Sequence, residues 1–262
     1  MTQFVPRPLR AALRRILNPL MTRAGYVRFD VKRHYANDGV FSVHNDSFRR
    51  DTAFQAAYAR GVEAGRGVDP HFEWRVHVAL WAASSALRVP GDFIECGVNA
   101  GFMSSAIMHR LNWSQVPRRF FLVDTFSGPV LEQYADVELK MGKAALAREL
   151  LAKGAYVTDV ERARANFAEW PNAVVVAGAV PDVLPSIPLE RLAFAHLDLN
   201  CAYPECAALE YFWPRLSPGG LVLLDDYANH EYAFQKQTID ELAKRLNTEV
   251  LSLPTGQGLI VR

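Results

Sequence analysis

The chain reads as an α/β protein, a mostly parallel sheet covered on both faces with an antiparallel hairpin at its C-terminal end. Three observations predict this. Apolar runs of strand length alternate with helix-length segments from residue 92 onward, two runs stop on carboxylates (Leu197-Asp198 and Leu224-Asp225-Asp226), and a glycine turn, residues 95–101, follows the first. A strand buried on both faces carries acids only where it emerges, and in open α/β sheets the carboxyl ends of the strands form the ligand crevice.

The elements follow in order. Arg and Lys residues between 7 and 33 collect beside Leu9, Leu13 and Leu20, the pattern of a helix docked on its own protein with a solvated basic face, or of one lying on an acidic membrane surface. A polar middle (Asn37-Asp38-Gly39) and a short helix over 52–60 complete an extension, residues 1–71, expected to cover part of the main domain, 72–262. Trp74, Val78, Trp81 and Leu87 mark a buried helix stopped by Pro90-Gly91. Strands are predicted at 92–96, 119–123, 173–176, 192–197 and 221–224, with helices through Met103, Ile107 and Leu111, over 205–216 and over 232–246. Residues 249–253 and 258–261 read as a hairpin around Pro254-Thr255-Gly256. Residues 125–172 are too long for a simple strand-to-helix connection. With helical stretches at 138–152 and 159–169, they are a candidate lid offering Tyr134, Tyr156 and Trp170 to an acceptor, or an oligomer interface.

Composition bounds the function. Half the residues are apolar, enough for a sizeable core, and the formal charge of +1 argues against a dedicated nucleic-acid binder. No apolar run is long enough to span a bilayer and no signal-peptide pattern precedes the core, so the expected compartment is the cytoplasm. Cys96, Cys201 and Cys206 lack zinc or redox spacing and read as buried thiols, with Cys201 a reactive candidate beside the proposed site.

Asp198, Asp225 and Asp226 converge on one rim with no obvious basic partner, and a hard divalent cation relieves such repulsion most directly. The plainer alternative is that they cap helices or pair with a surface Arg. The glycine turn has Asn99 and Phe102 where a dinucleotide fingerprint needs glycines, and no Gly-Lys-Ser/Thr follows. It suits a ligand without a phosphate, such as S-adenosylmethionine. Glu95 and the backbone at Gly97 would meet its amino acid end, Asp124 its ribose diol, and Gly178 its adenine. Glycines needed only for tight packing are the competing reading.

The runs Phe93-Ile94-Glu95-Cys96-Gly97-Val98, Val123-Asp124-Thr125-Phe126, His196-Leu197-Asp198 and Pro214 to Gly220 with Leu224-Asp225-Asp226-Tyr227 resemble the macrocin O-methyltransferase (TylF) family. The resemblance implies a class I methyltransferase (Rossmann-like) fold with a seven-stranded sheet, S-adenosylmethionine as methyl donor, and Mg²⁺ held by Asp198, Asp225 and Asp226. It also implies a small-molecule hydroxyl acceptor, a sugar or other natural-product intermediate, and a homodimer or larger assembly. One departure matters. Relatives commonly read Leu-Asp-x-Asp-Leu-Tyr-Glu-Pro, with the second Asp assigned in some as general base, and Asn200 stands there in this chain. An amide takes no proton at neutral pH, but its carbonyl can place a water or a substrate oxygen. The substitute base to test first is His230, then His196, whose apolar strand reads more simply as core. The rival classes are an S-adenosylmethionine-binding partner or regulatory subunit without methyl transfer and, behind it, a nicotinamide oxidoreductase.

Overall fold

The computed structural model describes Pro19 and residues 35–262, so the predicted basic helix lies outside the described residues. A first compact unit ends at Ser47 and a second runs from Phe48 to Arg262. In the first, β1 (Tyr35–Asn37) and β2 (Val40–Ser42) pair antiparallel. Asp38 and Gly39 turn between them with φ of 48° and 69°, the left-handed pair that a tight hairpin requires. The sequence reading passed over this Asp-Gly signal as a polar stretch.

The second unit starts well before residue 72, where the main domain was expected to begin. Its helices α1 (Thr52–Ala64) and α2 (Glu73–Ala86) help build its core, with Ala57, Val76, Ala79 and Ala83 fully buried. Asp51 caps α1, its carboxylate accepting from Ala53 N and Phe54 N at 2.7 and 3.0 Å. The alternation follows as predicted: β3 (Asp92–Cys96), α3 (Phe102–Leu111), β4 (Phe120–Asp124), then the insertion with α4 (Asp136–Lys140), α5 (Lys143–Ala152) and α6 (Val160–Phe167). β5 (Ala173–Ala177), β6 (Leu192–Leu197), α7 (Ala202–Phe212), β7 (Leu216–Leu224), α8 (Ala233–Arg245), β8 (Leu251–Ser252) and β9 (Gly258–Val261) complete it. The break at Met141-Gly142 divides the single helix expected over 138–152.

The seven strands lie in the order β5-β4-β3-β6-β7-β9-β8. β3 through β7 are mutually parallel, whereas β9 runs antiparallel to both β7 and β8. Alternate strand residues feed two cores. Phe93, Phe120, Leu122 and Leu223 face one with α1, α2 and α3, while Ile94, Phe121, Val123 and Leu224 face the other with α7 and α8. Phe93 packs on Phe120 and Phe194 at centroid distances of 5.7 and 5.3 Å, and each such ring contributes on the order of 2 kcal/mol by burial.

Because β4 and β6 leave β3 on opposite sides, the strand order switches at β3, where a crevice opens at the carboxyl ends. Among the described residues no helix is long and apolar enough to cross a membrane.

Candidate active site

Backbone register builds the rim. Gly97 N donates to Val123 O, Asp198 N to Cys96 O, Asp225 N to Leu197 O and Gly178 N to Asp124 O, each at 2.9 Å. The strand-end residues that the sequence singled out are therefore neighbours across five strands. Gly97 has φ 91°, and a Cβ there would lie 1.8 Å from Asp198 O. Close approach of β3 and β6 thus excludes every other residue, so tight packing is a full reason for this glycine.

Two cavities adjoin at this rim, with Gly97 and Asp198 in the walls of both. The smaller, about 80 Å³, is lined by Asp124, Gly178, Tyr134, Tyr156 and Asn200. The larger, about 510 Å³, is lined by Glu95, Asn99, Phe72, Arg75, His196 and Asp225. Asp124 accepts from Asn99 N and Phe126 N, both at 2.8 Å, one on each carboxylate oxygen. Thr125 Oγ1 also reaches Oδ1 at 3.4 Å, and Oδ2 keeps a further lone pair for the cavity.

The cross-strand pair Glu95 and His196 puts their side chains on one face of the sheet. Burial by itself lowers the pKa of His196, but its bonds to Asp225 and Glu95 outweigh that and hold it well above the ordinary value. The imidazolium donates to Glu95 Oε1 (2.7 Å) and toward Asp225 Oδ1 (3.5 Å). Its two N–H groups are occupied, so His196 is the satisfied core residue of the plainer reading. Glu95 Oε2 is buried without a hydrogen-bond partner among the described residues.

The acids do have a basic partner, contrary to the sequence-based expectation. Arg75 Nη1, from α2, lies 2.7 Å from Asp225 Oδ2 and 3.5 Å from Asp226 Oδ1. Gln257 Nε2 donates to Asp225 Oδ1 at 3.1 Å. Burial raises the pKa of Asp225, yet Arg75 and His196 overcome it and leave the carboxyl below its ordinary range. Asp226 is raised to about 6 by burial and the charge of Asp225, and Asp198 is raised by burial and by both neighbours. Among the described residues no group of three His, Cys, Asp or Glu side chains is disposed to hold a metal ion.

Asn200 is committed on both sides. Its Nδ2 donates to Asp198 Oδ1 (2.9 Å), and its Oδ1 accepts from Tyr232 OH (2.5 Å), so one lone pair of the carbonyl expected to place a substrate oxygen is taken. His230 is exposed at the head of the short turn that delivers Tyr232, and it lines neither cavity. Cys201 is buried, and burial with the charge of Glu138 pushes its thiol up to about 12. It is inert at neutral pH, against the expectation of reactivity. Trp170, expected in the insertion as an acceptor contact, packs in the core under Arg60 instead. Sequence reasoning missed Arg75 and Tyr232, because nothing local marks a residue brought to a rim by a distant helix or turn.

The profile of the Macrocin-O-methyltransferase (TylF) family matches residues 78–250. The chain is 33% identical over 151 residues to the 8-demethyl-8-(2,3-dimethoxy-alpha-L-rhamnosyl)-tetracenomycin-C 4'-O-methyltransferase of Streptomyces olivaceus, covering 53% of this chain and 54% of that one. It is 29% identical over 178 residues to the Mycinamicin III 3''-O-methyltransferase of Micromonospora griseorubida, covering 61% and 68% respectively. The matched stretch spans about half the length of the first of these relatives. Among solved structures, the O-methyltransferase NovP aligns with a TM-score of 0.64 at 20% identity, over 83% of this chain and 99% of that one. The calicheamicin methyltransferase CalS11 gives 0.55 at 19%, over 84% and 94%. At such identity the two structures carry the class I methyltransferase fold and nothing finer.

Proposed function

We infer the activity of this chain from the family to which it belongs, the macrocin O-methyltransferase (TylF) family: transfer of a methyl group from S-adenosylmethionine to a hydroxyl of a natural-product sugar or aglycone. The observation that carries this reading is the rim itself, where Glu95, Gly97, Asp124, Gly178 and Asp198 stand side by side along two adjoining cavities. The residues fit S-adenosylmethionine on one specific ground. The unpartnered Glu95 Oε2 is a buried acceptor with no donor among the described residues, as an ammonium group requires, and the spare lone pair of Asp124 Oδ2 suits a ribose hydroxyl. When bound, the sulfonium supplies an electrophilic methyl carbon. Holding the acceptor oxygen in line behind that carbon is the protein's main task.

Mg²⁺ belongs to the same proposal. Asp198 and Asp226 are oxygen donors, buried, mutually repelling and raised in pKa, which is the chemistry of a hard-cation site. Asp225, expected as the third ligand, is held instead by Arg75, His196 and Gln257. A divalent cation there would lower the pKa of a nearby hydroxyl. His230, the base expected from the sequence, is exposed and lines neither cavity, and His230→Ala is expected to cost less than loss of a metal ligand. Assembly as a homodimer or larger fits exposed Trp81 and Met141, and light scattering checks it. A cytoplasmic location is likewise part of the proposal, checked by fractionation.

The test pairs binding with turnover. Calorimetry should give micromolar S-adenosylhomocysteine binding that is lost in Asp124→Ala, and radiolabelled donor should methylate members of a panel of glycosylated natural products. Tight NADH binding in place of S-adenosylhomocysteine would overturn the cofactor. A second reading, a partner or regulatory subunit, draws on Asn200 standing where relatives carry an acid. Binding without turnover across the panel would establish it. Mg²⁺ titration calorimetry with wild type and Asp198→Asn tests the metal without any acceptor; no heat from the wild type removes it.

A further inference from the structure

Asp124, the carboxylate proposed for the cofactor's ribose, takes its two shortest bonds from residues in an uncommon conformation. Asn99 N donates to Oδ2 and Phe126 N to Oδ1, both at 2.8 Å, and the two donors have φ of 48° and 47°. Left-handed backbone suits an asparagine but is strained for an aromatic residue, and it persists only where the surroundings impose it.

The insertion supplies those surroundings. Val157 N donates to Asn99 Oδ1 at 2.8 Å and Asn99 Nδ2 donates to Ala155 O at 3.0 Å, so one amide grips the peptide groups on both sides of Tyr156. Phe126 and Val157, each 5% exposed, are buried in one small apolar cluster with Ala163 of α6. Gly101, at the end of the glycine turn, lies so near α6 that a Cβ there would stand 2.3 Å from the Phe167 ring. The insertion therefore packs on the glycine turn and on the loop after β4 together. Tyr156 lines the smaller cavity beside Asp124, whereas Val157 and Phe126 line neither cavity.

We propose that the insertion supports the cofactor site, with Val157 as a positioning residue that acts through Asn99 and Phe126 to hold Asp124 in its ribose-binding orientation. The assignment rests on the function proposed above. Released from the insertion, Phe126 can relax from its positive φ, which moves its N–H off Oδ1, and Asn99 loses the grip that fixes its own. A carboxylate already fixed in its bound orientation spares the ligand the entropy of ordering it. A segment expected to cover the acceptor or to join subunits thereby sets affinity on the cofactor side as well, through residues that touch no ligand.

Calorimetry of S-adenosylhomocysteine binding to the full chain tests this. Val157→Ala shrinks the cluster around Phe126. Asn99→Gly keeps the positive φ and the backbone donor to Asp124 while deleting both gripping bonds. Each should weaken binding about tenfold or more. Ile239→Val, which removes apolar volume from the other core under α8, should bind within about threefold of wild type. The proposal is overturned if either insertion variant binds within about threefold of wild type, or if Ile239→Val is weakened as much as they are, which would mark a general response to lost packing. A second readout needs no ligand. Trypsin should cut after the exposed Lys153 about fivefold faster or more in Asp124→Ala than in wild type, because Asn99 and Phe126 lose their shared acceptor. An unchanged rate overturns the proposal. A wild type that binds no S-adenosylhomocysteine sinks the proposed function instead, and the tryptic rate then decides the coupling alone.

Discussion

Gly97, Asp198 and Asp225 are each tied to the next strand by a backbone hydrogen bond, whereas the insertion over residues 125–172 is fastened to its surroundings largely by side chains. Asn99 Nδ2 donates to Ala155 O (3.0 Å) and Asn99 Oδ1 accepts from Val157 N (2.8 Å), which pins one part of the insertion to the glycine turn. Glu138 Oε1 accepts from Ala202 N at 3.0 Å and its Oε2 from Ala135 N at 2.9 Å, which fastens another part to the start of α7. The rim depends on the fold and hardly on residue identity beyond shape. The insertion depends on scattered side-chain groups, among them Asn99, Glu138, Arg60 and Asn166, and such ties are open to replacement.

The comparison can be broken most severely at Gly97. Gly97→Ala combines a left-handed φ with a Cβ driven into Asp198 O, and is expected to cost at least about 5 kcal/mol in urea unfolding and to abolish S-adenosylhomocysteine binding. A stable, binding-competent variant would show that the rim can move.

Charge behind the rim comes next. Glu205 is fully buried and raised to about 8 by burial, so the folded state holds a proton that the unfolded chain releases near pH 4.5. Stability contributed by this group is complete below pH 4.5 and is lost as pH rises toward 8. Glu205→Gln, which carries no titration, should therefore gain about 3 kcal/mol on wild type between pH 5 and pH 8. Parallel urea curves at the two pH values check it, and an unchanging difference would return Glu205 to an ordinary ionised state.

The insertion should respond locally. Asn99→Gly tolerates the φ of 48° while deleting both bonds, at about 2 kcal/mol, and should speed proteolysis within 125–172 with little change in global unfolding. Equal loss in both readouts would mean that insertion and sheet open as one unit. The smallest effect is expected at Cys201, whose iodoacetamide labelling at pH 7.5 should be negligible until the protein unfolds. Rapid labelling of the native chain would show that the insertion opens there.

Much of this was legible beforehand. The β3 to β7 segments declared themselves as apolar runs, and Asp124, Asp198, Asp225 and Asp226 stood at their ends. Where the reading missed, the signal was weak or absent. The Asp38-Gly39 hairpin joins strands of only three residues each, too short to show alternation. The body begins at Phe48, and α1 packs into its core with Phe54, Ala57 and Gly61, of which only the first is large enough to mark an apolar face.

The sequence by itself determined the sheet, its order of strand and helix, and the carboxylates at its exit, because period and turn chemistry are local and a buried strand can carry an acid only where it ends. The tertiary structure alone decided what those acids face. Arg75 arrives from 150 residues before Asp225, Gln257 from 32 after it, and Tyr232 from 32 beyond Asn200. Such pairings depend on how helices and turns cross the rim, and no spacing along the chain records that crossing. Whether Asp225 is ionised or Asn200 occupied is therefore a property of packing, settled by desolvation and by which donor comes within 3 Å.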